Sequence, residues 1–213
     1  MLEMAGELNE QQQGYVKNIT LGVENMSRLV NNLLDLGRIE IGVGLRVEQV
    51  NVLEIIEQVT SSLQLQASQK NVTLSVEIPK DIPHAVEADQ ALLHQAVYNL
   101  VENAIKYTPD GGRVTVRTSS QPGYLIFAVE DSGIGIAVDD LPHLFEKFYR
   151  GKQREARAQH GSGLGLAIVH SVAANHSGRV WVDSVIGKGS TFYLQIPLLQ
   201  PKTQSPHKTG FVL

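Results

Sequence analysis

Asn99 and Asn103 stand one helical turn apart, Lys106 and Tyr107 follow within the next turn, and two glycine-bearing segments lie downstream, Asp131-Ser-Gly133-Ile-Gly135-Ile136 and Gly161-Ser162-Gly163-Leu164-Gly165-Leu166. Wound as a helix over 90–107, the first segment projects Asn99, Asn103, Lys106 and Tyr107 from one narrow face, at ~100° per residue. Leu93, Val97, Leu100, Val101 and Ala104 cover the adjoining face. Asparagine is a mediocre helix former, so an amide stripe on a core-packed helix gains nothing without a ligand or partner. Neutral amide oxygen suits a hard cation that keeps some waters and takes its other oxygens from phosphates. Asn103 fits that role with Asn99 as its helper, while Lys106 offers a point charge to phosphates and Tyr107 a flat ring to a base. Glu102 points about 100° away from Asn103 and reads as surface.

Asp131 closes the apolar run Tyr124-Leu-Ile-Phe-Ala-Val-Glu, which reads as a buried strand. A carboxylate there can accept from the exocyclic amine of adenine, whereas the carbonyl of guanine would face it with a second acceptor, a loss of roughly 1–3 kcal/mol. The neighbouring glycines would let backbone approach the base. Gly161 to Gly165 run into a well-patterned helix whose N-terminus, with the loop amides, forms an anion site. Rival phosphate loops fail. No strand precedes these glycines, as the dinucleotide fingerprint requires, and Gly187-Lys188-Gly189 lacks the hydroxyl residue of a P-loop. No His-Arg-Asp catalytic loop is present. The basic stretch Lys147, Arg150, Lys152, Arg154 and Arg157 suits a lid over phosphates, with Arg150, beside the apolar Phe145-Glu-Lys-Phe148-Tyr anchor, the choice for a phosphate contact. Together these segments are built for ATP with Mg²⁺.

The elements that must hold these groups alternate as α/β. Strands are expected at 45–49, 72–78, 113–118, 125–130, 179–183 and 191–196, and helices at 52–69, 90–107 and 164–176, the first capped by Asn51 with Glu54 three residues on. Upstream, Val16, Ile19, Val23, Met26, Val30 and Leu33 step by three and four, the apolar seam of a helix that packs on other helices. A domain division at 1–44, 45–199 and 200–213 follows, with the proline-punctuated last segment read as a flexible tail.

Composition sets bounds. The 213 residues, 42% hydrophobic, suffice for one well-buried domain plus a helical extension. A net charge of −4 and pI near 6.0 argue against nucleic acid as partner. The absence of cysteine excludes disulfides and thiolate metal sites and is compatible with a reducing cytoplasm, the expected compartment. No apolar run approaches the ~18 residues of a membrane span, although a longer parent has room for an anchor upstream.

These motifs resemble those of sensor histidine kinases. Asn99-x-x-x-Asn103-Ala with Lys106 and Tyr107 is similar to their N box, Asp131-x-Gly133-x-Gly135 to the G1 box, Phe145 to Arg150 to the F box, and Gly161 to Leu166 to the G2 box. Gly187-Lys-Gly-Ser-Thr191-Phe192 is similar to the last glycine motif before the terminal strand. The resemblance implies the GHKL ATP-binding fold, a two-layer α/β sandwich whose mixed sheet is covered by helices on one face. It also implies nucleotide contacts from Ile136, Ser162, Leu164, Leu166 and Thr191 beside the residues above, with Mg²⁺ on Asn103. Leu29 to Glu40 resembles the end of the second helix of the dimerisation hairpin, two of which pair as a four-helix homodimer. The implied phosphate acceptor is a histidine followed by an acidic residue on the first hairpin helix; none of the seven histidines here is so followed, so that helix is expected to lie outside this chain. His94 and His176 are expected to pack or cap. The implied partner is the receiver domain of a response regulator. A GHKL hydrolase or serine kinase, and a nucleotide-gated dimerisation module without catalysis, remain as alternatives; the amide at Asn99, where hydrolytic relatives place a glutamate, cannot take a proton from water.

Overall fold

The computed structural model describes residues 8–42, 44–79, 81–82, 85–152 and 161–198. The tail 200–213, Arg154, Arg157 and His84 lie outside them.

Helix α1, Glu10–Ile41, opens on a reciprocal capping box in which Asn9 accepts from the Gln12 backbone and Gln12 returns the bond, and it stops at Gly42 in the left-handed region. Strand β1, Glu48–Asn51, leads into α2, Val52–Gln69, whose first amides are served by the Asn51 side chain at 3.1 Å from Leu53 N. Glu54 binds the side-chain amide of that cap, at 2.8 Å, rather than its backbone. Strand β2, Thr73–Glu77, and β3, Ala85–Ala88, precede α3, Gln90–Tyr107, which Asp89 caps through Leu92 N. The hydroxyl of Thr108 bonds back to Ala104 O at 2.7 Å, and Pro109 prevents continuation. Strands β4, Arg113–Gln121, and β5, Tyr124–Asp131, form a hairpin; a 3₁₀ turn at Val138–His143, helix α4, Gly165–Asn175, and strands β6, Arg179–Val185, and β7, Gly189–Pro197, follow.

Five strands make one mixed sheet in the order β2-β4-β5-β7-β6, parallel only between β2 and β4, while β1 and β3 pair apart from it. Alternation along β4, β5 and β7 sends Val114, Val116, Leu125, Phe127, Val129, Phe192, Leu194 and Ile196 into a core shared with the apolar stripes of α2, α3 and α4. The opposite face carries Arg117 paired with Glu77 and Glu130, and Trp181 stacked on Tyr193 at 4.9 Å. The molecule is therefore a two-layer sandwich of helices over one sheet face, as expected.

Among the described residues, helix α1 joins that body at its C-terminal end. Leu36 and Ile39 are buried in the common core, Asn175 Nδ2 donates to Ile39 O at 2.5 Å, and Lys147 pairs with Glu40 at 2.7 Å. The seam from Val16 to Leu33 is 48–66% exposed. The first expected strand, 45–49, lies instead at Glu48–Asn51, and its partner β3 was not foreseen.

Candidate nucleotide-binding site

One cavity opens between α3, the end of β5, the segment after it and the start of α4. Asn99, Asn103, Lys106 and Tyr107 all line it, because the apolar positions of α3 turn the amide stripe toward the cleft. The amide ends of Asn99 and Asn103 gather beside Gly165, where a Cβ would lie 3.2 Å from Asn99 Oδ1 and 3.7 Å from Asn103 Nδ2. The Asn103 nitrogen is the end of its amide nearer Gly165. Among the described residues no group of three or more His, Cys, Asp or Glu could hold a metal, so a cation here would depend on amide oxygen, water and ligand phosphate. Burial raises the Tyr107 pKa, and the charge of Arg150, also on the cavity wall, opposes that shift.

Asp131 is 6% exposed and lines the cavity from the sheet. Its Oδ1 accepts from Gly133 N at 2.8 Å and Ser190 N at 3.3 Å, which fixes the carboxyl and leaves Oδ2 for a ligand. Burial pushes its pKa up to about 6, against the backbone bonds from Gly133 and Ser190 that favour the anion. Gly135 adopts φ +67° and packs directly on the Val185 carbonyl, and Gly187 N bonds Ile134 O at 2.8 Å. The segment is thus locked to the β6–β7 turn.

Gly163, at φ +72°, lies flat against the backbone of Phe148, and Phe148 N donates to Gly163 O at 3.0 Å. Phe148 is itself left-handed at φ +64°, a strained state for an aromatic residue that this bond helps hold. The pinch brings the two ends of the 149–162 segment together. Tyr149 OH donates to Asp140 Oδ1 at 2.7 Å and Lys152 N to Asp140 Oδ2 at 3.1 Å, so a buried carboxylate anchors the first of those ends. Past the pinch, the N-terminus of α4 faces the cavity through Gly165 and Leu166.

Several sequence expectations land elsewhere. Leu164 is fully buried in the core and does not line the cavity; it occupies the cap position of α4, turned inward. Thr191 pairs across to Glu130 and Asp183 on the open sheet face, while its neighbours Ser190 and Phe192 line the cleft. Gly133 also lies off the lining: the place of a Cβ is taken by Asp131 and the Tyr107 carbonyl. The glycines after Asp131 therefore make room for protein backbone. Glu102, read as surface, lines the cavity, as does Asn32 of α1. Gly135, Ile136, Gly161, Ser162 and Gly163 line it as expected, and Lys106 Nζ fills the space beside Gly161. Ser190 and Phe192 were recoverable from the strand alternation alone; Asn32 and Glu102 needed the packing of α1. His94 stacks on Tyr98 at 6.4 Å, and buried His176 accepts from Asp89 N at 2.9 Å, so both pack or cap.

Residues 88–200 match the family of histidine kinase-, DNA gyrase B- and HSP90-like ATPases. The chain belongs to this family, and its relatives within it include sensor histidine kinases. It is 37% identical over 186 residues to the sensor-like histidine kinase SenX3 of Mycobacterium tuberculosis, covering 87% of this chain and 45% of that protein. It is 35% identical over 193 residues to the aerobic respiration control sensor protein ArcB of Escherichia coli, covering 89% and 25%. The chain thus spans less than half the length of these curated relatives. Among solved structures, full-length ShkA in complex with AMPPNP superposes with TM-score 0.76 at 29% identity, over 92% of this chain and 40% of that one. The mycobacterial sensor histidine kinase MprB gives 0.63 at 30%, over 73% and 100%. ThkA, solved with the response regulator protein TrrA, shares the fold at TM-score 0.70 and 22% identity, over 90% and 53%. The fold is that of histidine kinase GHKL catalytic domains.

Proposed function

We propose that this chain binds Mg·ATP in the cleft and serves as the catalytic region of a two-component sensor histidine kinase. The γ-phosphoryl passes to a histidine on a helix outside this chain and then to an aspartate of a response regulator receiver domain. The observation that carries the reading is the convergence of the α3 amide stripe, Asp131 and the Gly161–Leu166 loop on one cavity. Residues 45–199 form the catalytic domain and 1–44 the dimerisation segment, paired as a homodimer with the hairpin helix supplied by the parent.

In this assignment Oδ2 of Asp131 accepts from the adenine amine and Tyr107 lies against the base. Asn103, supported by Asn99, offers oxygen to Mg²⁺, which when bound neutralises phosphate charge. Lys106 and Arg150 add positive charge at the phosphates, and the α4 N-terminus supplies backbone N–H donors. Asn99 has no basic oxygen to activate water, which favours transfer over hydrolysis. The test is to supply a phosphoacceptor helix of a relative, or the upstream residues of the parent, with γ-labelled ATP. Acid-labile, base-stable label on histidine is expected; steady phosphate release without it, or label on serine, would contradict the reading.

A further inference from the structure

Asn32 lies in the C-terminal third of α1, far from the motif residues in sequence, yet it lines the same cavity as Asn99, Glu102 and Asn103. The helix register explains how. Gln95 Nε2 of α3 donates to Asp35 Oδ2 of α1 at 3.3 Å. One turn earlier on α1 is Asn32, and one turn later on α3 is Asn99, so the two helices carry their amides to the same end of the cleft. That is the end of the proposed metal and phosphate contacts, not the Asp131 end. Among the described residues, the attachments of α1 at Leu36, Ile39 and Glu40 lie C-terminal to Asn32. Asn32 thus marks the place where α1 leaves the catalytic body, with the exposed seam running on beyond it.

Resting on the Mg·ATP reading above, we infer that Asn32 donates its side-chain amide to the terminal phosphate of the bound nucleotide, and that seating of α1 and binding of ATP are thereby linked. An asparagine in mid-helix is a poorer helix former than alanine. Here the amide has a use. Its neutral NH₂ can donate to a phosphoryl oxygen without competing for the cation, and a terminal phosphate is what distinguishes ATP from ADP. Linkage is reciprocal: ATP holds α1 on the body by the same factor by which a seated α1 favours ATP. A displacement travelling along α1 would therefore change triphosphate affinity without touching the adenine end.

Calorimetric titration of Mg·ATP and Mg·ADP into the whole chain tests this, comparing wild type with Asn32→Ala and Asn32→Asp. Alanine is the better helix former at this half-buried position, so folding is maintained. Asn32→Ala should weaken ATP about tenfold and leave ADP within about twofold, and Asn32→Asp, facing phosphate with a like charge, should weaken ATP further. Hydrogen exchange at residues 36–41 should slow with Mg·ATP in wild type and not in Asn32→Ala. Wild-type ATP affinity in both variants, or an equal loss of ATP and ADP, overturns the inference while leaving the cleft assignment intact. Wild-type protein that takes up neither nucleotide overturns both.

Discussion

Asp131 is the residue on which nucleotide identity turns. Its carboxyl is held by two backbone amides at one oxygen and is otherwise buried, so ionisation at neutral pH costs the empty fold. The displacement from 3.8 to about 6 corresponds to about 3 kcal/mol. The sign is that of a raised carboxyl: the favourable contribution is complete below pH 3.8 and is lost as pH rises through about 6. Asp131→Asn keeps an oxygen for Gly133 and Ser190 and turns the other oxygen into a donor. It should raise the denaturant midpoint of the nucleotide-free protein at pH 7.5 while weakening ATP tenfold or more, on the order of 1.4 kcal/mol. In wild type, ATP affinity should fall as pH drops from 7 to 5, measured by fluorescent nucleotide displacement, and a flat profile would contradict the assignment. Asp131 was legible because a carboxylate ending an apolar run is conspicuous. The purpose of Gly133 and Gly135 was not, since the backbone they accommodate, at Tyr107 and Val185, comes from distant segments. Thr191 and Leu164 lie off the cavity lining because a motif names a stretch of chain, whereas strand alternation and helix register decide which of its members turn toward the cleft.

At the scale of elements, α3 is the platform, and its last turn is fastened from outside. Lys70, at the end of α2, donates Nζ to Ile105 O at 3.0 Å and also to Lys106 O, satisfying carbonyls that the helix leaves unpaired. Burial lowers the pKa of this amine, yet it sits against the carbonyl end of a helix, where positive charge is favoured. Lys70→Met should lower stability by about 1 kcal/mol and weaken Mg·ATP several-fold by loosening Lys106 and Tyr107, whereas Lys70→Arg should retain most of both. Thermal unfolding and calorimetry together check it. The pinch at Gly163 makes a second case. Gly163→Ala forces a Cβ into the Phe148 backbone at a left-handed φ, and a loss of about 1–3 kcal/mol in stability is expected by denaturant titration. The bounds of α2 and α3 were readable from periodicity, and for α2 from the Asn51 cap as well. Strand β3 was not: Ala85-Val-Glu-Ala is four residues long, and its pairing with β1 spans the whole of α2 and β2.

For the whole molecule, the balance is between a compact α/β body and a long helix that, among the described residues, shares its final turns with it. Val16, Ile19, Val23, Met26, Val30 and Leu33 leave an apolar stripe in water, which a lone helix does not maintain cheaply. If that stripe is the dimerisation seam, Val23→Glu with Val30→Glu should shift sedimentation toward monomer without changing Mg·ATP affinity, because both positions lie beyond Asn32. The seam was evident from its three-four spacing, but where it ends and the body begins was not, since Leu36 and Ile39 continue the apolar pattern while changing partner. The most direct test of the central claim is calorimetric titration of nucleotide into the folded chain. Saturable heat with Mg·ATP, weaker by tenfold or more with Mg·GTP and reduced when Mg²⁺ is withheld or Asn103 is replaced by alanine, is the predicted result; no heat from Mg·ATP, or equal binding of ATP and GTP, would contradict it.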